Sequence, residues 1–110
     1  MEKYYYQIDE LSGEPIITVC LISGVFGVAR GIAICSESEP CFDWRRGVDR
    51  ARGMATKATK HQIDDEWINR KRAKRRIAKA HAPYCCKSMW NPPLTRFEKQ
   101  LLHISTLTIL

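Results

Sequence analysis

A chain of 110 residues with 45% hydrophobic and 27% charged side chains can build one modest core, and two domains would each be marginal. The composition excludes a disordered chain. It also excludes an α-helical membrane span, since the longest uncharged run, residues 15–29, is too short for a bilayer and is interrupted by Ser23-Gly24. The net charge of +6 is unevenly spread: residues 1–44 hold two bases and seven acids, residues 45–79 thirteen bases and four acids.

Taken in order, residues 3–8 (Lys-Tyr-Tyr-Tyr-Gln-Ile) favour a strand, because aromatic and β-branched side chains suit a pleated surface. The turn formers of residues 9–15 reverse the chain. Residues 16–22 are a short β-branched run that reads as a buried strand, and Ser23-Gly24 begins a second reversal that extends to Gly27. Residues 28–35 read as a third strand. One of its faces carries Val28, Arg30, Ile32 and Ile34; the other carries small Ala29, Gly31, Ala33 and Cys35, which implies a helix lying close against the sheet.

From Asp43 the hydrophobic period changes from two to about 3.6. Trp44, Val48, Ala51, Ala55 and Ala58 form one helical stripe, and Gly47 and Gly53 suggest close approach to the small face of the third strand. His61-Gln62 is a point at which the helix either breaks or runs on. Beyond it, Asp64-Asp65-Glu66 ahead of a basic run has the polarity that a helix dipole favours. Ile63, Trp67, Ile77 and Ala80 give that second helix a patchy apolar stripe, and Pro83 ends it. Residues 84–93, with Cys85-Cys86, Trp90 and Pro92-Pro93, read as an ordered loop anchored by aromatics. Thr95 and Glu98 fit a capping box, opening a short amphipathic helix with Phe97, Leu101 and Ile104 on its apolar side. The tail, residues 105–110, reads as an edge strand or a frayed end.

The expected class is therefore α+β in one domain. A three-stranded antiparallel meander over residues 1–36 precedes a core helix over 42–60, a basic helix over 62–82 and a C-terminal helix over 94–104, in the order β-β-β-α-α-α.

The charge asymmetry points to a polyanion or an acidic protein surface as partner. Arg45, Arg46, Arg50, Arg52 and Lys57 on the first helix, with Arg70, Lys71, Arg72, Lys74, Arg75, Arg76 and Lys79 on the second, are the candidate binding residues, on helices expected to be neighbours. On a helix the second set surrounds most of the circumference, so its members cannot all face one groove. Five cysteines in an odd, unevenly spaced set, and Glu2-Lys3 directly after Met1, lead to the expectation of a cytosolic protein with reduced thiols. Cys35, Cys41, His81, Cys85 and Cys86 are candidate zinc ligands by residue type, but they lack a Cys-x-x-Cys knuckle, and no metal or cofactor is expected. A Cys-His pair and the acid triplet come without a phosphate cradle, an oxyanion-hole loop or a separated second acid, so no enzyme is expected. Of Tyr4, Tyr5 and Tyr6, at most two share a sheet face, and the nearby acids favour core packing over base stacking.

The β-β-β-α succession with Arg45, Arg46 and Arg50 early in its helix resembles the latter part of a double-stranded RNA-binding domain, where lysines at comparable positions grip phosphates. A three-stranded sheet with a helix is also similar to integrase arm-type DNA-binding domains, although the acidic residues 1–44 argue against a sheet laid in a groove. The segment from Val28 to Ser36 (Val-Ala-Arg-Gly-Ile-Ala-Ile-Cys-Ser), followed by Arg46-Gly47 and Arg50-Ala51-Arg52, resembles small bacteriophage proteins that act as host-takeover factors, anti-CRISPR inhibitors among them. The first resemblance implies RNA or DNA as partner. The last implies a host nucleic-acid-targeting complex in the cytosol of the infected cell.

Overall fold

The computed structural model describes residues 1–8, 15–35, 44–80 and 84–107. In chain order these form β1 (Glu2–Ile8), β2 (Pro15–Gly24), β3 (Gly27–Cys35), α1 (Trp44–His61), α2 (Arg70–Ala80), β4 (Tyr84–Trp90) and α3 (Arg96–Leu107). The class is α+β, with an antiparallel sheet in the order β1-β2-β3-β4. Among the described residues the sheet thus has four strands rather than the expected three. Tyr84–Trp90, expected as a loop, pairs with β3 from Ala29↔Trp90 to Cys35↔Tyr84. Its partly buried residues occur on both faces, so no polar–apolar alternation marked it as a strand.

The alternating faces of β3 divide the molecule into layers. Ala29 and Ala33 pack with Cys20 against Ala51, Ala55 and Ala58, all fully buried on α1. The small face brings the helix backbone close: a Cβ on Gly31 would lie 1.9 Å from the Ala51 carbonyl oxygen and 2.4 Å from the Ala55 nitrogen. The strand glycine makes this approach. Gly53 has open space around its Cβ position, so the role expected of it is not observed, and Gly47 is buried.

On the opposite face, Ile32 and Ile34 join Ile17, Val19, Leu21, Ile68, Ala73 and Met89 in the larger core, with Leu101 and Leu102 of α3 packed against it. Ala73 belongs to α2. The two basic helices therefore lie on opposite faces of the sheet and are not neighbours, because each follows a different half of the β3 alternation.

The chain passes between the faces around the edge of β4. Gln62 adopts a left-handed backbone (φ 51°) and ends α1 at the expected breakpoint. The next residues then pair with β4: Trp90 N–H donates to the Ile63 carbonyl (2.6 Å), and Asp65 N–H to the Ser88 carbonyl (2.9 Å). Asp65 also accepts the Ser88 amide through its carboxylate (2.9 Å). The acid triplet is thus an edge cover for the sheet rather than the first turn of a helix. Asn69 caps α2, its side-chain oxygen accepting the Arg72 amide at 2.9 Å. The basic helix consequently starts at Arg70, with no acid in its first turn.

The capping box at α3 forms as expected: Glu98 N–H donates to Thr95 Oγ1 (3.1 Å), and Thr95 N–H to Glu98 Oε1 (2.9 Å). The helix then continues to Leu107, through part of the tail expected as strand or frayed end.

Candidate nucleic-acid interface

The candidate cations fall into two sets with different surroundings. Arg45, Arg46, Arg50, Arg52 and Lys57 are exposed on α1. Arg50 and Arg52 contact neighbouring strands of the fold. The Arg50 guanidinium lies 4.4 Å from the Tyr84 ring centroid. Arg52 Nε donates to the Tyr4 hydroxyl (2.8 Å) and pairs with Glu2 (3.2 Å), and Tyr4 donates in turn to Glu2 (2.6 Å). The Tyr4 hydrogen bond holds the Glu2 carboxyl below its ordinary value despite some desolvation. Burial, then the Glu2 contact, push the Tyr4 hydroxyl up to about 12.

The α2 set is placed differently. Arg70 is half-buried, while Lys71, Arg72, Lys74, Arg75, Arg76 and Lys79 are exposed; only Ala73 and Ile77 face inward. Among the described residues, no ion pair or side-chain hydrogen bond engages Lys71, Arg72, Arg75 or Arg76. Seven bases and no acid in eleven residues leave four like-charge pairs at i,i+4: Arg70–Lys74, Lys71–Arg75, Arg72–Arg76 and Arg75–Lys79. Each such pair destabilises a helix by ~0.2–0.5 kcal/mol, and cations at the N-terminal turn oppose the macrodipole. A polyanion relieves both.

Lys87 on β4, absent from the expected set, joins Arg72 and Arg76 around a notch of about 110 Å³ that Glu66, Trp67 and Ile68 also border. Trp67 is 40% exposed and borders a second, aromatic cleft of about 420 Å³ with Tyr5, Tyr6 and Phe97. In the sequence it read as part of a helical stripe. The capping residue Asn69 was the signal that places it before the helix.

Beneath Trp67 lies a buried ion pair. The Arg30 guanidinium is 5.1 Å from the indole centroid. It binds Glu98 in a bidentate pair, through Nε to Oε2 (2.8 Å) and through Nη2 to Oε1. Nη2 also donates to the Pro93 carbonyl (3.0 Å), and the Tyr5 hydroxyl donates to Glu98 Oε2 (3.0 Å). Arg30 is 3% exposed and Glu98 fully buried. Burial alone would raise the Glu98 pKa, but hydrogen bonds from Arg30 and the Thr95 amide, the Arg30 charge and the Tyr5 hydroxyl outweigh it and hold the carboxyl below its ordinary value. The sequence placed Arg30 correctly on the Ile32–Ile34 face and gave Glu98 its capping role, but the distance of 68 residues between them hid the pair.

The adjacent thiols of Cys85 and Cys86 lie on opposite faces of the sheet. Cys85 packs with the Ile32–Ile34 face and Cys86 with the α1 face, as adjacent strand residues must. Cys20, Cys35, Cys85 and Cys86 form no disulfide. Burial raises the Cys20 thiol to about 11 and also raises Cys86, so both are poor thiolates. Cys41 and His81 lie outside the described residues, and among those described no group of three metal-ligating side chains comes together. Among the described residues no helix is long and apolar enough to cross a membrane.

Comparison with family models, with curated proteins and with solved structures finds no match to this chain. The surface itself carries the functional reading.

Proposed function

We propose that the protein is a non-enzymatic binding protein that acts in the cytosol on nucleic acid, alone or within a nucleoprotein complex, mainly through phosphate contacts of α2. The observation that supports this reading is the helix of seven bases, its cations stacked on one another at i,i+4 with no acid among them. At roughly 16 Å long, it spans several phosphates at about 3.4 Å per residue of a strand. The α1 arginines, on the other face and partly engaged by Tyr84, Tyr4 and Glu2, serve as a secondary set.

Anisotropy of a labelled oligonucleotide tests this with two glutamine variants, one replacing Lys71, Arg72, Arg75 and Arg76, the other Arg45, Arg46 and Arg50. The first should lose most of the affinity and the second much less. Equal affinity of both variants and the unaltered protein would leave α2 as a solvated helix.

A second reading is supported by the β2–β3 hairpin, whose tip presents Val25 at 96% and Phe26 at 88% exposure. Apolar side chains so exposed favour a protein partner, such as the host defence nuclease implied by the bacteriophage resemblance, which the protein would inhibit by binding. Retention of that partner from host lysate after nuclease treatment, lost on Phe26→Ser, is the outcome this reading requires.

A further inference from the structure

Trp67 borders both the cationic notch of Arg72, Arg76 and Lys87 and the aromatic cleft of Tyr5, Tyr6 and Phe97. Its ring is not loosely held. Arg30 sits 5.1 Å from the indole centroid, and Arg30 is itself fixed by Glu98, Pro93 and the α3 capping box. Phe97 in turn stands edge-on to Tyr5, with centroids 5.1 Å apart and planes at 75°. A buried arginine–carboxylate pair is costly to desolvate and stabilises a fold only weakly. What this one does is set the position of an aromatic plane before any ligand arrives, which lowers the entropic cost of stacking.

A tryptophan serving only as a core lid would be covered. Here Trp67, Phe97 and Tyr6 are 40%, 53% and 39% exposed around one opening. The cleft, at about 420 Å³, is within the range of roughly 300–1,000 Å³ that holds small organic groups. No cation borders it, so it suits an uncharged planar group, and Gln7 and Thr95 at its margin offer polar contacts to such a group's edge. The neighbouring notch has the opposite chemistry. Three cations against Glu66 leave it a net positive site, and at about 110 Å³ it admits a single small anion rather than a groove wall. The two openings, both bordered by Trp67, match the chemistry of a planar ring joined to a phosphate, that of a nucleotide.

We infer that Trp67 joins these two openings into a nucleotide subsite for single-stranded nucleic acid. One phosphate lies among Arg72, Arg76 and Lys87, and an adjoining base stacks in the cleft of Tyr5, Trp67 and Phe97. This rests on the phosphate-binding reading of α2 and narrows it to an unpaired strand. In a duplex the base faces are occupied by stacking and are unavailable to protein aromatics.

The test uses the full chain with fluorescein-labelled oligo(dT) of about 12 nucleotides, within the span one small domain covers, and a duplex of the same length, at several salt concentrations. The single strand should bind about tenfold or more tighter than the duplex. Trp67→Ala should weaken single-strand binding by about tenfold, the scale of one lost stacking contact, and leave duplex binding and the salt slope unchanged. Trp67→Phe should restore most of the loss. Phe97→Ala, at a more exposed position, should act in the same direction and decides the matter if Trp67→Ala does not fold. Arg72→Gln with Arg76→Gln should instead flatten the salt slope. Equal binding of single strand and duplex, with both aromatic variants silent, overturns the subsite while leaving the α2 phosphate reading in place. Absence of salt-dependent binding to either probe overturns both.

Discussion

The two basic helices carry similar chemistry in different surroundings. On α1, three fully buried alanines seat the helix against β2 and β3, and Arg50 and Arg52 reach back to Tyr84, Tyr4 and Glu2. On α2, only Ala73 and Ile77 are buried, and Lys71, Arg72, Arg75 and Arg76 have only other cations at i,i+4. A count of bases over residues 45–79 merges the two into one surface, whereas the sheet separates them. The lesson concerns surroundings: Arg50 and Arg52 have aromatic or carboxylate neighbours that tie them to the fold, whereas among the described residues Lys71, Arg72, Arg75 and Arg76 are in no ion pair, the feature that the proposed phosphate contacts would use.

The largest stability effect should come from the face that supports α2 and α3. Glu98→Ala leaves the Arg30 guanidinium buried without its carboxylate and removes half of the capping box, so denaturant unfolding should show a loss of ~3–5 kcal/mol. The same pair sets an acid limit. The Glu98 pKa is depressed in the folded chain, so its contribution is complete above the unfolded value of about 4.3 and is lost as pH falls below that value and through the depressed folded pKa. Thermal melts on Glu98→Gln should lack this component of the acid transition.

A slightly smaller loss is expected on the α1 face. In Gly31→Val the added Cβ meets the backbone of Ala51 and Ala55, which cannot yield as a side chain would. The helix must lift from the sheet, at a cost of ~3 kcal/mol by overpacking. A full-stability Gly31→Val would show that α1 is not held at the described distance.

Arg52→Ala should lower the melting temperature only slightly, since Arg52 and Glu2 are exposed, and the effect should shrink in salt. Smallest of all, replacing Lys71, Arg72, Arg75 and Arg76 by glutamine should leave stability unchanged or raise it by ~0.5–1 kcal/mol at low salt, because repulsion is removed. A marked destabilisation would mean that these cations hold the fold as those of α1 do, and the contrast between the helices would collapse.

Much of this arrangement was legible in the residues. The small face of β3, the alanine stripe of α1, the reversal at Gly24–Gly27 and the Thr95–Glu98 capping box all carry local signals with a single geometric meaning. What escaped was set by long-range pairing. β4 has cysteine, lysine and serine where strands usually show branched residues, and its place comes from ladder bonds to β3 and from the cover supplied by Ile63 and Asp65. The acid triplet matched a helix start because dipole logic is local, while its role as an edge partner depends on Ser88, more than twenty residues away. For the site, every candidate cation lies on the helix assigned to it. Their division between two faces, and the addition of Lys87 and Trp67, follow only once the sheet exists.

The central claim is that α2 meets phosphates, and the slope of log Kd against log salt tests it most directly. For a single-stranded probe, the unaltered protein should give a steep linear dependence. The variant with glutamine at Lys71, Arg72, Arg75 and Arg76 should bind more weakly and flatten the slope by roughly 0.7 for each lost contact, about 3 in all if every one of the four touches a phosphate. The same affinity and the same slope in both proteins would contradict the account.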